Sequence, residues 1–369
     1  MTTESIFELT DEQRMFAESL ERFLADFSSR SGANDSPDQW QALAEFGVVA
    51  AFFNEDQGGF GGSGRDIMVV FEVMGRMGFG TALIDLALLP GCLLIEAGQD
   101  VGSIVAGDQR LVFAHGETDS RYELDSVETE AKNGRLTGHK SVVVSAPHAD
   151  GFLVSARGGS ADDPAGSGTG KGTGTEIGLW WVERDAPGLM VQDYILADGG
   201  VGSEIRFNDT PGELILADAG SAISKANASA TLAMMAHTLG AMEAAVNLTE
   251  GYLSTREQFG RPIGHFQALA HRLVDMVMEL EQARSAVILA AQHLEHDASI
   301  RDRHISAGKY LTGCAGRLIA EESIQMHGGI GMTEEYALGG FAKHIVMADH
   351  RFGDTDYHLE RFIELGENR

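Results

Sequence analysis

With 369 residues, 43% of them hydrophobic and 22% charged, the chain is long enough to bury a large core in two or three layers. Its formal net charge of −28 excludes a sequence-independent grip on nucleic acid, which needs Lys and Arg to neutralise phosphates, and equally excludes adsorption to an anionic membrane surface. Cys92 and Cys314 are the only cysteines, too few for a disulfide framework.

In chain order, residues 1–109 read as an N-terminal helical domain. Thr10 to Gln13 forms an S/T-x-x-E/Q capping box, and Met15, Phe16, Leu20, Phe23, Leu24 and Phe27 follow at helical spacing. A second helix is expected over Asp38 to Phe46 and a third from Arg65, with Ile67, Val70, Phe71 and Met74 on its apolar face. The intervening Gly58 to Gly64 run lacks the Lys-Ser/Thr end of a phosphate-binding loop and reads as a flexible interhelical turn. The start, Met1 to Ser5, has no basic segment and no apolar run, so no signal peptide is expected; a reducing, cytoplasmic setting follows. No stretch approaches the roughly 20 apolar residues that span a bilayer.

Residues 110–218 change pattern. Leu111 to Ala114, Ser141 to Ser145, Gly151 to Ser155, Ile177 to Val182 and Glu204 to Phe207 are short runs rich in valine and aromatics, separated by turn residues. They predict a central antiparallel β domain. Gly158 to Thr175 is rich in Gly, Ser and Thr, too poor in apolar side chains to order itself, and reads as a mobile loop of a hairpin.

Residues 219–369 return to helical periodicity. Leu232, Met235, Leu239, Met242, Val246 and Leu253 form one stripe; Leu269, Leu273, Met276, Leu280 and Val287 form another. With a helix over Ile305 to Gln325 and a shorter one after Thr333, these predict a four-helix bundle whose methionines are core. Ala236, Gly240, Ala241, Ala244 and Ala245 would let helices approach closely. Segregated helices, strands and helices make the fold α+β.

Two motifs carry chemistry. Arg256-Glu-Gln-Phe-Gly-Arg-Pro-Ile263, followed by Phe266-Gln267, sits at the end of a long helix stopped by Gly260 and Pro262. Gln325-Met-His-Gly-Gly-Ile-Gly331 ends another helix, with glycines that admit close approach of backbone to a ligand. Together they closely resemble the C-terminal domain of acyl-CoA dehydrogenases, and the resemblance extends over the whole chain, including Leu9-Thr-Asp-Glu-Gln13 and the Gly58-Gly-Phe-Gly61 loop. It implies FAD as cofactor and a clasp on the FAD of a neighbouring subunit. Arg256 would pair with the pyrophosphate, a task suited to a planar, always-charged fork. Phe259 and Gln267 would line the adenosine end; Gln325, Gly328 and Gly329 would contact the diphosphate and ribose. Ser120-Arg-Tyr-Glu-Leu124, Gly331-Met-Thr-Glu-Glu-Tyr336 and Phe352-Gly-Asp-Thr-Asp-Tyr-His-Leu359 look most like the small subunit of pimeloyl-CoA dehydrogenase and partner subunits of heteromeric steroid-acyl-CoA dehydrogenases.

The departures from the family pattern are as informative. Counting from Tyr336 puts Phe352 where the family has its glutamate base, and counting back from Arg256 puts Ala230 at the alternative base position. Neither side chain can accept a proton, so no catalytic residue is assigned. Asp354 is the nearest carboxylate, two residues away and one methylene shorter. The family's Thr-Glu-Pro segment reads Gly116-Glu117-Thr118, and its Trp-Ile-Thr/Ser reads Val142-Val143-Val144, so hydroxyls and an indole expected at the flavin ring are missing. The resemblance therefore implies a non-catalytic small (β) subunit of an α2β2 acyl-CoA dehydrogenase. Its partners would be a catalytic large subunit, an acyl-CoA substrate of the complex and electron-transfer flavoprotein as acceptor. The alternative is a self-sufficient homo-oligomer using Asp354 as base. No metal site is expected: there is no HExxH and no Cys/His cluster, and His344 and His350 are not an i, i+4 pair. No Gly-x-Ser-x-Gly elbow occurs.

Overall fold

The computed structural model describes residues 8–31, 37–158, 177–333 and 335–367. In chain order the helices are α1 (Asp11–Ser31), α2 (Pro37–Phe46), α3 (Gly64–Arg76), α4 (Leu89–Glu96) and α5 (Gly102–Val105), then α6 (Gly220–Thr255), α7 (Gln267–Gln292), α8 (Ala298–His327), α9 (Leu338–Asp349) and α10 (Thr355–Glu367). The strands are β1 (Leu111–Ala114), β2 (Glu130–Lys132), β3 (Arg135–Val144), β4 (Gly151–Arg157), β5 (Ile177–Glu183), β6 (Leu189–Ile195), β7 (Val201–Pro211), β8 (Glu213–Leu216), β9 (Glu257–Gln258) and β10 (Arg261–Pro262). Helices, a sheet and helices thus follow one another along the chain. The contacts gather them into two units, residues 1–36, 61–81 and 231–369 in one and 37–60 and 82–230 in the other. The boundaries at 109 and 218 mark changes of secondary structure, which these units do not follow.

The first unit is a helical bundle. Its entry is the reciprocal cap read from the sequence: Gln13 N–H donates to Thr10 Oγ1 and Thr10 N–H to Gln13 Oε1, each at 3.2 Å. Ser63 and Asp66 cap α3 in the same way. A Cβ at Gly75 would overlap the His237 carbonyl, and one at Gly240 the Glu72 carbonyl, so α3 and α6 pack backbone to backbone and only glycine fits. Beside this seam Arg284 pairs with Glu72 and with Glu243 (3.1 Å), and Arg76 with Glu243 (3.2 Å). Burial raises the Glu72 carboxyl, with Arg284 opposing, and the two carboxylates push the Arg284 guanidinium up against its own burial. Residues 219–369 hold five helices among the described residues where four were expected. The extra one, α10, packs on α8; its apolar positions are few and its stripe too short to stand out before packing is known.

The second unit is a sheet in the order β6-β7-β3-β2-β4-β5-β8, with β1 on β4. The long pairs, β3 with β7 and β4 with β5, are antiparallel as expected. The sheet is nonetheless mixed: β1 and β2 both run parallel to β4. Burial explains why the pattern read as it did, since β4 is buried along almost its whole length and its residues do not alternate. In this unit Gly59 is no loose turn residue; a Cβ there would strike the Phe53 and Ala50 carbonyls. The loop expected over Gly158 to Thr175 lies, after Gly158, outside the described residues. Among the described residues no helix is long and apolar enough to cross a membrane.

Candidate functional site

The two motifs meet at one end of the bundle. Arg256 follows the last turn of α6; its amide donates to the Tyr252 carbonyl at 2.8 Å, and its own carbonyl accepts from Ile263 N–H at 2.9 Å. The latter bond closes the small β9–β10 hairpin back onto the helix end. At the hairpin tip Phe259 (φ 55°) and Gly260 (φ 77°) are both left-handed, as a two-residue turn of the I′ kind requires. A phenylalanine rarely adopts that conformation, and this one is 91% exposed. Its ring meets Phe266 edge-on at 6.0 Å, and the Arg261 guanidinium lies 4.5 Å over Phe266. Phe266 in turn precedes Gln267, the exposed first residue of α7.

Gln325 is exposed in the last turn of α8, and Gly328 leaves the helix at φ 64°. A Cβ at Gly328 or Gly329 would meet nothing, so this backbone is open to solvent. What ties the two helix ends together is His327. Its ring stacks on Tyr252 (4.5 Å, 25°), its Nδ1 lies 2.8 Å from the Ser323 carbonyl, and its Nε2 lies 3.2 Å from the Tyr336 hydroxyl. Arg256, Phe259, Gln267, Gln325, Gly328 and Gly329 therefore share one region of the bundle. A cation, a glycine backbone with nothing packed over it and an exposed aromatic ring suit a ligand with an anionic diphosphate and an aromatic base.

The turn where a base was sought lies between α9 and α10 and packs against α8. Phe352 sits at φ 59°, with the Arg351 guanidinium 4.9 Å over its ring. Gly353 follows at φ 107°, and a Cβ there would overlap the His358 imidazole. Ser306 on α8 holds His358 Nδ1 at 3.3 Å, while Lys309 Nζ donates to the Ala348 and Asp349 carbonyls at 3.1 and 2.9 Å, capping α9. Burial lowers the Lys309 ammonium to about 8 against the pull of Asp349. Asp354 Oδ1 accepts from Tyr357 N–H at 2.9 Å, three residues on, so Asp354 is the N-cap of α10. At the standard rise, Ser306 and Gln325 are about 28 Å apart along α8. The clasp motif thus ends α8, while the Phe352 turn packs against the same helix well back along it.

In the sheet unit Ala230 is fully buried and faces no solvent. The Val142–Val144 run begins at a bulge, where the β3–β7 register shifts between Lys140 and Val143. Val142 is left-handed (φ 53°) and 55% exposed, while Val143 points into the core. The Val142 amide donates to Glu204 Oε1 (3.2 Å), which also accepts from the Tyr194 hydroxyl (3.0 Å). Partial burial works against the Glu204 charge, but those donors hold its carboxyl below the usual range. Burial and Glu204 push the Tyr194 phenol up to about 12. Behind the bulge, Lys140 is fully buried and donates to Glu117 Oε1 (2.6 Å), the His115 carbonyl (3.0 Å) and Ser155 Oγ (3.0 Å). Glu117 is further satisfied by the Thr129 amide and hydroxyl. Burial brings Lys140 down to about 8, Glu117 opposing; burial and Lys140 bring His115 down to about 3. All these polar atoms satisfy one another, so the Gly116-Glu117-Thr118 segment is anchored structurally. His327, Tyr252, His358 and Glu204 escaped the sequence reading because each acts through a contact far along the chain.

Models of known families match this chain twice: the acyl-CoA dehydrogenase N-terminal domain over residues 10–100 and the acyl-CoA dehydrogenase C-terminal domain over residues 221–364, together more than half its length. Among relatives, a probable acyl-CoA dehydrogenase, YngJ, of Bacillus subtilis is 27% identical over 360 residues, covering 90% of this chain and 92% of that one. The acyl-CoA dehydrogenase IpdE2 of Mycolicibacterium smegmatis is 28% identical over 305 residues, covering 81% and 78%. Among solved structures, the ChsE4-ChsE5 complex from Mycobacterium tuberculosis shares the fold at TM-score 0.83 and 22% identity, covering 98% of this chain and 99% of the other. Butyryl-CoA dehydrogenase from Megasphaera elsdenii does so at TM-score 0.81 and 22% identity, covering 98% and 99%. With both domain models matched and the arginine and glycine motifs brought to one end of the bundle, this chain belongs to the acyl-CoA dehydrogenase family.

Proposed function

We propose that this chain is the non-catalytic small subunit of an α2β2 FAD-dependent acyl-CoA dehydrogenase. In this reading it lends its clasp to flavin seated in a catalytic large subunit. FAD, when bound, takes up the hydride leaving the β carbon of the acyl thioester. This chain's contribution is to hold that cofactor's other end: Arg256 against the diphosphate charge, Phe259 and Gln267 at the adenosine, and Gln325, Gly328 and Gly329 along the diphosphate and ribose.

The observation that carries this reading is the split along α8. At one end the clasp is open and exposed. About 28 Å away, the base turn offers a phenylalanine carbonyl already taken by His358 and an aspartate engaged as a helix cap. The residues present fit a cofactor at the first end; at the second the nearest carboxylate, Asp354, is engaged as a helix cap. The Val142 amide, spent on this chain's own Glu204, also favours a vestigial ring seat. A face for the partner is at hand on α7, where Val274, Val277 and Met278 fall at i, i+3 and i+4 and are all exposed. The engagement of Asp354 as a cap weighs against a self-sufficient homo-oligomer. The substrate class proposed for the complex is a CoA thioester too bulky or polar for an ordinary fatty-acid enzyme, such as a steroid side chain or dicarboxylic acid, with electron-transfer flavoprotein as acceptor.

The test is to purify this chain alone and together with a candidate catalytic subunit, and to read flavin absorbance. Little flavin alone and one FAD per αβ pair together are expected. A yellow homo-oligomer that oxidises acyl-CoA by itself would overturn the reading.

A further inference from the structure

We infer that His327 is a positioning residue that sets the spacing of the two arms of the cofactor clasp; the inference rests on the clasp reading above. Three observations on one side chain carry it. The ring is 4% exposed, so its contacts are with protein. It stacks on Tyr252, one turn before Arg256, whose amide bonds the Tyr252 carbonyl. It also occupies the last position of α8, directly between Gln325 and the Gly328-Gly329 backbone.

The hydrogen bonds fix both the tautomer and the ring plane. The Ser323 carbonyl can only accept, so Nδ1 carries the proton and donates to it; Nε2 then accepts from the Tyr336 hydroxyl. With both nitrogens committed, the ring cannot rotate about χ2 without breaking two bonds. Tyr336 adds an inclined ring contact at 5.2 Å from the side opposite in sequence, beyond the glycine run. A Cβ at Gly331 would press on the His327 Cβ, so the glycine turn is itself folded around this residue. The end of α6, the end of α8 and the segment after the glycines are thereby fixed to one imidazole. None of these atoms needs to touch the cofactor. Their role is to hold Arg256 on one arm and Gly328-Gly329 on the other at a constant separation, which is what a two-sided grip on a rigid diphosphate demands.

The variants that separate spacing from general stability are His327→Ala, His327→Phe and Tyr336→Phe, each in the complex with the catalytic subunit. FAD is removed, and its dissociation constant is measured by fluorescence quenching on re-addition, with the thermal midpoint of the FAD-free complex read in parallel. His327→Ala should weaken FAD binding by about tenfold or more. His327→Phe keeps a ring on Tyr252 and should recover most of that loss, although it forfeits both hydrogen bonds. Tyr336→Phe, which frees only Nε2, should fall between wild type and His327→Ala. FAD binding that is unchanged in His327→Ala, or lost equally in the Ala and Phe variants in step with the thermal midpoint, overturns the positioning role. Arg256→Ala serves as the reference. If it too leaves FAD binding unchanged, the clasp reading itself fails; if it weakens binding while His327→Ala does not, only the present inference fails.

Discussion

The imidazole of His358 donates from Nε2 to the carbonyl oxygen of Phe352 at 2.9 Å, and this bond holds Phe352 in the left-handed conformation. The residue is clamped by its backbone, and its side chain faces a guanidinium. A phenyl ring takes no proton, so Phe352→Ala should leave kcat of the αβ complex unchanged in a dye-reduction assay. A collapse of kcat with an unaltered thermal midpoint would assign Phe352 a role in turnover and remove the reading of an emptied base site.

Asp354 offers a sharper contrast. As the N-cap of α10, it should lose about 1 kcal/mol of stability as Asp354→Ala, and only a few tenths as Asp354→Asn, whose side-chain oxygen still accepts from Tyr357 N–H. Urea unfolding gives both figures. Were Asp354 the general base, Asp354→Asn would abolish turnover while preserving stability; the cap predicts intact turnover.

Acid should unfold this protein through its buried histidines. Burial, with Lys309 and Arg361 adding to it, lowers His358 to about 4 against its bond to Phe352; burial and Arg351 lower His344 to about 4; burial and Lys140 lower His115 to about 3. His237, bonded to His344 at 2.8 Å, lies well below the ordinary value, mainly through burial. Each folded value is below the ordinary 6.5, so the unfolded chain binds the proton more readily. Stability is then full above about pH 6.5 and falls as the pH drops toward about 4, by up to about 1.4 kcal/mol per pH unit for each histidine. His344→Gln keeps a donor toward His237 and removes one such proton. Its unfolding free energy should fall less steeply between those pH values than that of the parent, and parallel slopes would contradict this.

Lys140 is the most exacting polar group of the sheet unit. Its three hydrogen bonds use all three ammonium protons inside the core. Lys140→Met strands the Glu117 carboxylate and should cost about 3–5 kcal/mol. Adding Glu117→Gln removes the stranded charge and should restore part of it. A double variant no more stable than Lys140→Met would show that the pair does not act as a unit.

Phe259 should separate stability from function. A left-handed conformation disfavours any residue with a Cβ by about 1 kcal/mol. Phe259→Gly should therefore hold or raise the thermal midpoint of the isolated chain, while weakening FAD binding by the complex. A variant that keeps full FAD affinity would remove Phe259 from the clasp.

Much of this was legible in the sequence. The capping box at Thr10, the apolar stripes of α6 and α7, the change to strands after Arg110 and the two clasp motifs are local patterns, set by hydrogen-bond geometry and side-chain spacing within a few residues. They fix the family. The resemblance also implies departures at Phe352, Ala230 and Val142. Tertiary structure alone decided what those positions do instead. That Glu204 takes the Val142 amide, that β1 and β2 run parallel to β4 and that His327 joins α6 to α8 all depend on partners distant in the chain. Periodicity records which face of an element is buried, but not which group it meets there. The function proposed for this protein rests on such meetings, because the distance along α8 between the two motifs exists only once the helix is built.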